Sequence, residues 1–178
     1  MSIKICVAGK ICSGKSTLVR GVAPHLRYSI ISFGGILRGY AERQELPTTR
    51  EHLQRLGQEM IDRHGYDGFT TWCIEQTPDR LWEQPLIVDG LRHGAVYQCI
   101  QARFPRHVLV YCDCDPETQM TRLVERDGLS RDAAQRILLH STESCIDELK
   151  PLAHLRFRPE SSLDAFLADL DAAIANHS

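Results

Sequence analysis

The stretch GKICSGKST, residues 9–17, combines two glycines, a lysine and hydroxyl groups at the spacing G-x-x-x-x-G-K-[ST]. Successive backbone N–H groups in such a loop, followed by a helix N-terminus, form a concave site that attracts phosphate. Lys15 is expected to reach the β- and γ-phosphates, and the Ser16 hydroxyl is expected to bind Mg²⁺. The sequence therefore predicts a nucleoside triphosphate site, with Thr17 facing the α-phosphate. Its residues are Gly9, Cys12, Ser13, Gly14, Lys15, Ser16 and Thr17.

A second candidate is the carboxylate at the end of the apolar run PLIVDG, residues 85–90. If this strand lies beside the phosphate loop, Asp89 can hold Mg²⁺ directly or through water. Asp89 and Gly90 as a plain turn are the alternative. Arg92 follows two residues later and is expected at the same edge of the sheet, with an ordinary surface arginine as its alternative.

Arginine clusters provide the remaining candidate phosphate ligands. Arg38 follows a pair of glycines after the second apolar run, where a helix is expected to begin. Four more arginines crowd RLVERDGLSRDAAQR: Arg122, Arg126, Arg131 and Arg136. A helical hairpin carrying them could close over a triphosphate and neutralise the transferred phosphoryl group. A solvated helix with i,i+4 ion pairs is the alternative.

The elements that must position these residues alternate along the chain. Five apolar runs predict strands at 3–8, 28–33, 85–90, 106–113 and, more weakly, 154–159. Helical spacing occurs at 17–26, 35–44, 49–65, 68–77, 95–104, 116–127, 130–149 and 162–177. This order predicts a parallel, doubly wound α/β sheet with right-handed crossovers. Residues 34–84 exceed one crossover helix and are interpreted as a helical insertion that binds an acceptor, with a loop around Gly65, Asp67 and Gly68.

Length and charge limit the class of protein. A chain of 178 residues is expected to be one domain, and its net charge of −2 argues against a broad nucleic-acid-binding face. Arginine outnumbers lysine 17 to 4, which favours bidentate recognition of phosphate or carboxylate. The seven scattered cysteines and the lack of a long apolar run predict reduced thiols in a cytoplasmic protein without a membrane partner.

Taken together, four segments resemble small P-loop kinases of the nucleoside monophosphate kinase superfamily. They are GKICSGKST, SFGGILRGYAERQELPTTREHLQRLGQEM, LIVDGLRHGAVYQCIQ and RLVERDGLSRDAAQRI. The middle of the chain is similar to adenylate kinase-related and phage deoxynucleoside monophosphate kinase-like proteins, and the C-terminal part to dephospho-coenzyme A kinase. The resemblance implies a three-layer P-loop NTPase fold with a five-stranded parallel sheet, and a lid at about 122–145.

The resemblance also implies roles for individual residues. ATP with Mg²⁺ would donate the γ-phosphoryl group, with Ser16 and Asp89 on the metal. Lys15, Asp89 and Arg126 would act in catalysis. Arg122, Arg126 and Arg136 would clamp the donor, whereas Arg38 and Arg92 would hold the phosphate of a small acceptor.

The acceptor is less clearly indicated. Gly34 and Gly35 stand where dephospho-coenzyme A kinases have an acidic residue, which favours an acceptor that is already anionic, such as a nucleoside monophosphate. Arg50, with Gln54 and Gln58 on one helical face, would then hold the phosphate and read a polar ring. A hydroxyl acceptor remains the alternative, with Asp67 as a replacement base. A P-loop protein that binds without catalysis is a further one.

Overall fold

The computed structural model describes residues 2–139 and 145–177. Its centre is a five-stranded parallel sheet in the order β2-β3-β1-β4-β5. The strands are β1 (Lys4–Ala8), β2 (Ser29–Ser32), β3 (Leu86–Leu91), β4 (His107–Cys112) and β5 (Leu155–Phe157). Four of them lie within the predicted apolar runs and β3 extends one residue beyond its run, which confirms the parallel α/β prediction. The fifth strand is three residues long, half the predicted length.

The sheet is covered on both faces because side chains alternate along its central strands. In β1, Ile5 and Val7 pack into one core with helices α1 (Lys15–Leu26) and α7 (Leu163–Asn176). Cys6 and Ala8 point into the opposite core, which contains residues of α2 (Phe33–Arg43), α3 (Arg50–Glu75) and α4 (Gly94–Arg103). These two apolar layers produce the three-layer sandwich.

Helices α2 and α3 occupy most of the 34–84 stretch. Each begins at a side-chain cap: Ser32 accepts a hydrogen bond from the Gly35 N–H, and Thr49 accepts one from the His52 N–H. The loop expected around Gly65 and Gly68 is instead a kink within α3. Only Gly65 leaves helical geometry (φ 70°, ψ 173°), because glycine tolerates this backbone conformation.

The segment predicted as one helix over 130–149 is also divided differently. Helix α5 (Pro116–Asp127) is followed by α6 (Arg131–Leu138), and a 3₁₀ turn covers Asp147–Leu149. Residues 140–144, the later part of the predicted lid, lie outside the described residues. A small apolar cluster of Ile11, Met120, Leu123 and Ala134 packs α5 and α6 against the loop that follows β1.

The structure also bears on what the sequence predicts for the cysteines and for membrane-spanning helices. All seven cysteines have free thiols. None of the helices within residues 2–139 and 145–177 combines the length and apolar character needed to cross a bilayer.

Candidate active site

The phosphate loop between β1 and α1 depends on glycine at both ends. Gly9 has φ 145° and Gly14 has φ 91°. A Cβ on Gly9 would lie 2.6 Å from the backbone oxygen of Cys112 and 2.7 Å from the Ser13 hydroxyl. Cys12 also adopts a left-handed conformation, with φ 58°. The loop is therefore held in a shape that ordinary residues adopt rarely, as backbone binding of phosphate requires.

The positive end of α1 faces this loop. Five other helices (α2, α3, α5, α6 and α7) begin with a side chain that accepts a backbone N–H, whereas Gly14 provides no side-chain cap for α1. The Lys15 ammonium donates hydrogen bonds to the carbonyl oxygens of Gly9 and Lys10, which keeps its charge within the loop. Helix dipole, backbone N–H groups and a cation thus converge as an anion site.

Asp89 lies beside the phosphate loop because β3 pairs with β1, with Val7 opposite Asp89. Its Oδ1 atom is buried and has no hydrogen-bond partner among residues 2–139 and 145–177. Burial raises the pKa of this carboxyl, while Lys15, the Gly90 N–H and Arg92 oppose that rise. A carboxylate oxygen without a donor, together with the Ser16 hydroxyl at the start of α1, is the hard oxygen donor set that Mg²⁺ prefers. These residues fit the metal implied by the loop.

One cavity of about 560 Å³ extends from the phosphate loop to the space between α2 and α3. Five cationic side chains line it, and none of its lining residues in the described part of the chain is Asp or Glu. The cations are Lys15, Arg38, Arg50, Arg92 and Arg126. Asp89 is not among the lining residues and directly precedes the lining residue Gly90. In a protein of net charge −2, such a concentration of positive charge favours a polyanionic ligand.

All five candidate acceptor residues line this cavity, together with Cys12, Lys15, Ser16 and Arg126 of the donor set. Arg38 donates a hydrogen bond to the Thr48 carbonyl at 3.2 Å, which draws its guanidinium toward the start of α3. Gln58 donates from Nε2 to Asp62 at 2.8 Å. The five candidate residues Arg38, Arg50, Gln54, Gln58 and Arg92 thus come from α2, α3 and the segment after β3.

The arginines of α5 and α6 have different positions. Arg126 lines the cavity, and its guanidinium forms two hydrogen bonds, of 2.6 and 2.8 Å, with Asp127. Arg122 donates to the Cys12 carbonyl at 3.0 Å and so binds the phosphate loop itself. Arg131 pairs with Glu117 at 2.7 Å on the surface, and Arg136 is exposed and does not line the cavity.

Arg50 of α3 lies near the ion pair between Arg126 and Asp127. Hydrogen bonds from Arg126 lower the pKa of the Asp127 carboxyl, and the charge of Arg50 lowers it further. Arg50, at the start of α3, therefore lies within electrostatic reach of the end of α5.

One titratable residue of the cavity was missed from the sequence. His93 lines the cavity, and its ring centroid lies 5.5 Å from that of Tyr66. Burial lowers the pKa of His93, Glu148 opposes this change and Arg92 adds to it, so the ring is neutral at neutral pH. The only local signal was its place in DGLRH. Asp67, considered as a base, instead pairs with Arg103 at 2.8 Å and is not among the cavity-lining residues.

The second lysine of the loop was also unassigned. Lys10 forms an ion pair with Asp147 at 2.8 Å, and the Tyr111 hydroxyl donates to the same carboxylate at 3.1 Å. Because its ammonium pairs with Asp147, Lys10 links the phosphate loop to the segment before β5.

Comparison with known proteins supports the assignment of the fold. The model of the AAA_17 family, described as an AAA domain, matches residues 9–137. A UPF0200 protein of Methanoregula boonei is 24% identical over 169 residues, which cover 92% of this chain and 91% of the relative.

Two solved structures share the architecture over nearly the whole chain. The APS kinase of Mycobacterium tuberculosis, in complex with AMPPNP and APS, has a TM-score of 0.63 at 16% identity, covering 98% of both chains. The shikimate kinase of Bacteroides thetaiotaomicron has a TM-score of 0.54 at 18% identity, covering 97% of this chain and 98% of the other. The chain therefore belongs to the AAA_17 family of AAA domains, and its fold is that of a P-loop kinase.

Proposed function

We propose that this protein transfers the γ-phosphoryl group of ATP to the phosphate of a small nucleotide-like acceptor, a ribo- or deoxyribonucleoside monophosphate. The observation that carries the proposal is the cavity between the phosphate loop and helices α2 and α3. Five cationic side chains line it, and no carboxylate does among residues 2–139 and 145–177. A site for two phosphate-bearing molecules needs this charge, whereas a site that activates a hydroxyl group needs a base.

On the donor side, the phosphate loop binds the triphosphate through its N–H groups and the start of α1. The positively charged ammonium of Lys15 lies next to the β- and γ-phosphates. Ser16 and Asp89 hold Mg²⁺. The metal ion supplies neutralisation of charge on the phosphate oxygens. Arg126, with its guanidinium fixed by Asp127, stabilises the charge that develops on the transferred group.

On the acceptor side, Arg38, Arg50 and Arg92 hold the acceptor phosphate and orient one of its oxygens toward the donor. This phosphate is already ionised at neutral pH, so the transfer does not need a residue to remove a proton. Positioning and electrostatic stabilisation then supply the rate enhancement. The carboxamides of Gln54 and Gln58 offer donors and acceptors to a polar ring further along the cavity.

A hydroxyl acceptor is the second candidate, and His93 is the observation that favours it. Its ring lines the cavity, and because burial lowers its pKa it is neutral and able to accept a proton. An alcohol positioned between His93 and the phosphate loop would be phosphorylated to a phosphomonoester.

Product analysis distinguishes the two candidates. The protein is incubated with ATP, Mg²⁺ and each of a panel of nucleoside monophosphates, dephospho-coenzyme A and oligonucleotides, and products are followed by phosphorus NMR. A new phosphoanhydride resonance supports a phosphate acceptor. A new phosphomonoester resonance would contradict it and support the hydroxyl acceptor. Lys15→Ala serves as the inactive control in both cases, because phosphate transfer by a contaminant would persist in it.

A further inference from the structure

Two neighbouring carboxylates lie on the 3₁₀ turn Asp147–Leu149, which precedes β5. The turn is fixed in the hydrophobic core, because Ile146 and Leu149 on either side of the two acids are 1% and 0% exposed. Asp147 and Glu148 themselves are exposed. Each of these side chains can therefore hold the part of the chain that it contacts against a rigid support.

Asp147 contacts the donor side. Its carboxylate pairs with the Lys10 ammonium of the phosphate loop at 2.8 Å and accepts a hydrogen bond from the Tyr111 hydroxyl at 3.1 Å. Tyr111 belongs to β4 and lies opposite Ala8, the last residue of β1 before the loop. Asp147 therefore joins the beginning of the phosphate loop to the strand beside it.

Glu148 contacts the acceptor side. A Cβ on Gly94, the first residue of α4, would lie 3.1 Å from Glu148 Oε2, so the carboxylate rests against the start of that helix. His93 precedes α4 and makes no side-chain capping hydrogen bond, and a negative charge at this end of a helix is favourable. Burial lowers the pKa of His93, and the charge of Glu148 opposes that change. Both His93 and Arg92 line the cavity.

We propose that the turn Asp147–Leu149 is a positioning element for both substrates. Asp147 holds the phosphate loop through Lys10, and Glu148 holds the cavity-lining segment before α4. Neither acid is among the cavity-lining residues, so each acts through the residues that it contacts. The acceptor half of this inference rests on the proposed function, whereas the donor half requires only that the loop binds a nucleotide.

The sign of the effect on binding separates positioning from simple repulsion. Both substrates of the proposed reaction are anions, and the cavity for them is lined by five cations. A nearby carboxylate repels an anion, so removal of its charge would tighten binding if only the through-space interaction mattered. Loss of a positioning contact leaves the loop or the start of α4 less well held, which weakens binding.

The test uses two uncharged variants of nearly unchanged shape, Asp147→Asn and Glu148→Gln, with Asp113→Asn as the control. Asp113 pairs with Lys150, beside the turn, at 3.0 Å and does not line the cavity. Three quantities are measured: the Kd of AMPPNP with Mg²⁺, the KM of the best nucleoside monophosphate, and the pKa of His93 by proton NMR. The signal of His93 is assigned with His93→Gln, and thermal melting reports whether each variant is folded.

We expect Asp147→Asn to raise the Kd of AMPPNP about three- to fivefold, the upper range for a half-exposed ion pair, and to leave the acceptor KM within about 1.5-fold. Asp147→Glu should restore the Kd, because it restores the charge that pairs with Lys10. Glu148→Gln should instead raise the acceptor KM about three- to fivefold, since the start of α4 loses a charged partner, and leave the Kd of AMPPNP unchanged.

The NMR titration tests the contact of Glu148 without turnover. Glu148→Gln should lower the pKa of His93, because the charge of Glu148 is what opposes the effect of burial. Asp147→Asn should leave this pKa unchanged. Asp113→Asn should leave all three quantities at their wild-type values.

Three results would overturn the positioning role. The first is an unchanged or lower Kd of AMPPNP in Asp147→Asn, or an unchanged or lower acceptor KM in Glu148→Gln. The second is an equal rise of both constants in either variant, because a general loosening of the structure affects both sites. The third is a titration of His93 that does not respond to Glu148→Gln. If no nucleoside monophosphate is phosphorylated, the proposed function fails, and the AMPPNP and NMR measurements still decide whether the turn holds its two contacts.

Discussion

Replacing Asp89 by asparagine should separate stability from activity. The change keeps the side-chain shape and removes a charge from a position where Oδ1 is buried and has no hydrogen-bond partner in the described part of the chain. A buried charged oxygen without a partner costs more than a neutral amide oxygen in the same place, which asparagine would leave there. Without Mg²⁺, Asp89→Asn should therefore melt at the wild-type temperature or up to about 2–4 °C above it for each kcal/mol relieved, the sensitivity of a domain of this size.

Binding of Mg²⁺ should reverse the order of the two melting temperatures. At ten times its dissociation constant, a ligand that binds only the folded state stabilises it by about 1.4 kcal/mol. The wild type should then gain about 3–5 °C in the presence of Mg²⁺ and a non-hydrolysable ATP analogue relative to the analogue with EDTA. Asp89→Asn should gain little, so the two melting curves should exchange their order.

Lowering the pH tests whether the charge of Asp89 destabilises the folded protein. Because burial raises the pKa of Asp89 above its unfolded value, the charged carboxylate destabilises the folded protein at neutral pH. Protonation relieves this as the pH falls through the raised pKa. The advantage of Asp89→Asn in EDTA should therefore be largest near neutral pH and shrink in acid.

Turnover and a matched control complete the test. Loss of one preorganised electrostatic contact lowers kcat by about 100-fold or more, and we expect this of Asp89→Asn. Asp113 follows β4 at the same edge of the sheet but is already paired with Lys150 at 3.0 Å. Asp113→Asn should melt lower in both conditions and keep a kcat within about twofold of wild type. An Mg²⁺-induced rise in Asp89→Asn equal to that of wild type would refute the metal role and leave Asp89 as a turn residue.

Three further predictions concern the remaining charges. Lys15→Ala should remain folded by circular dichroism yet lose phosphoryl transfer, and wild-type turnover in it would contradict the P-loop mechanism. Arg126→Ala should mainly lower kcat, whereas Arg38→Ala should mainly raise the KM of the acceptor; steady-state kinetics in which these effects were exchanged would mean that the two sides of the cavity had been confused. Burial, with His177 and His107 nearby, lowers the pKa of His154, whose Nδ1 accepts the Leu109 N–H. Its contribution to stability should be present above pH 6.5 and lost as the pH falls, so a pH series of melting curves should slope less in His154→Gln.

The parts of the site that the sequence could predict are those set by short-range spacing. Gly9, Gly14 and Lys15 act within one loop, so their order in the chain already determines their geometry. Asp89 was predictable for a related reason. An apolar strand that ends in a carboxylate delivers it to the carboxyl edge of a parallel sheet, and only the pairing of β3 with β1 had to be assumed.

The contacts that the sequence could not predict join distant segments. Lys10 and Asp147 are 137 positions apart, and no local pattern indicates that one ion pair connects them. Asp67 shows the opposite case. It is close in sequence to acceptor residues, but beyond the kink at Gly65 the course of α3 carries its carboxylate to Arg103. A glycine in a polar stretch predicts a break in a helix. The sequence does not distinguish a turn from a kink at that break, because glycine permits both.

The apolar residues of the 34–84 insertion belong both to the hydrophobic core and to the wall of the cavity. Leu37, Leu53, Ile61 and Phe69 are each at most 8% exposed and belong to the main hydrophobic core. The same four residues line the cavity. A side chain can meet both conditions when it packs on its neighbours with one side and borders the cavity with the other. A ligand bound at this wall would therefore contact residues that pack α2 against α3, and a change in that packing would alter the shape of the cavity.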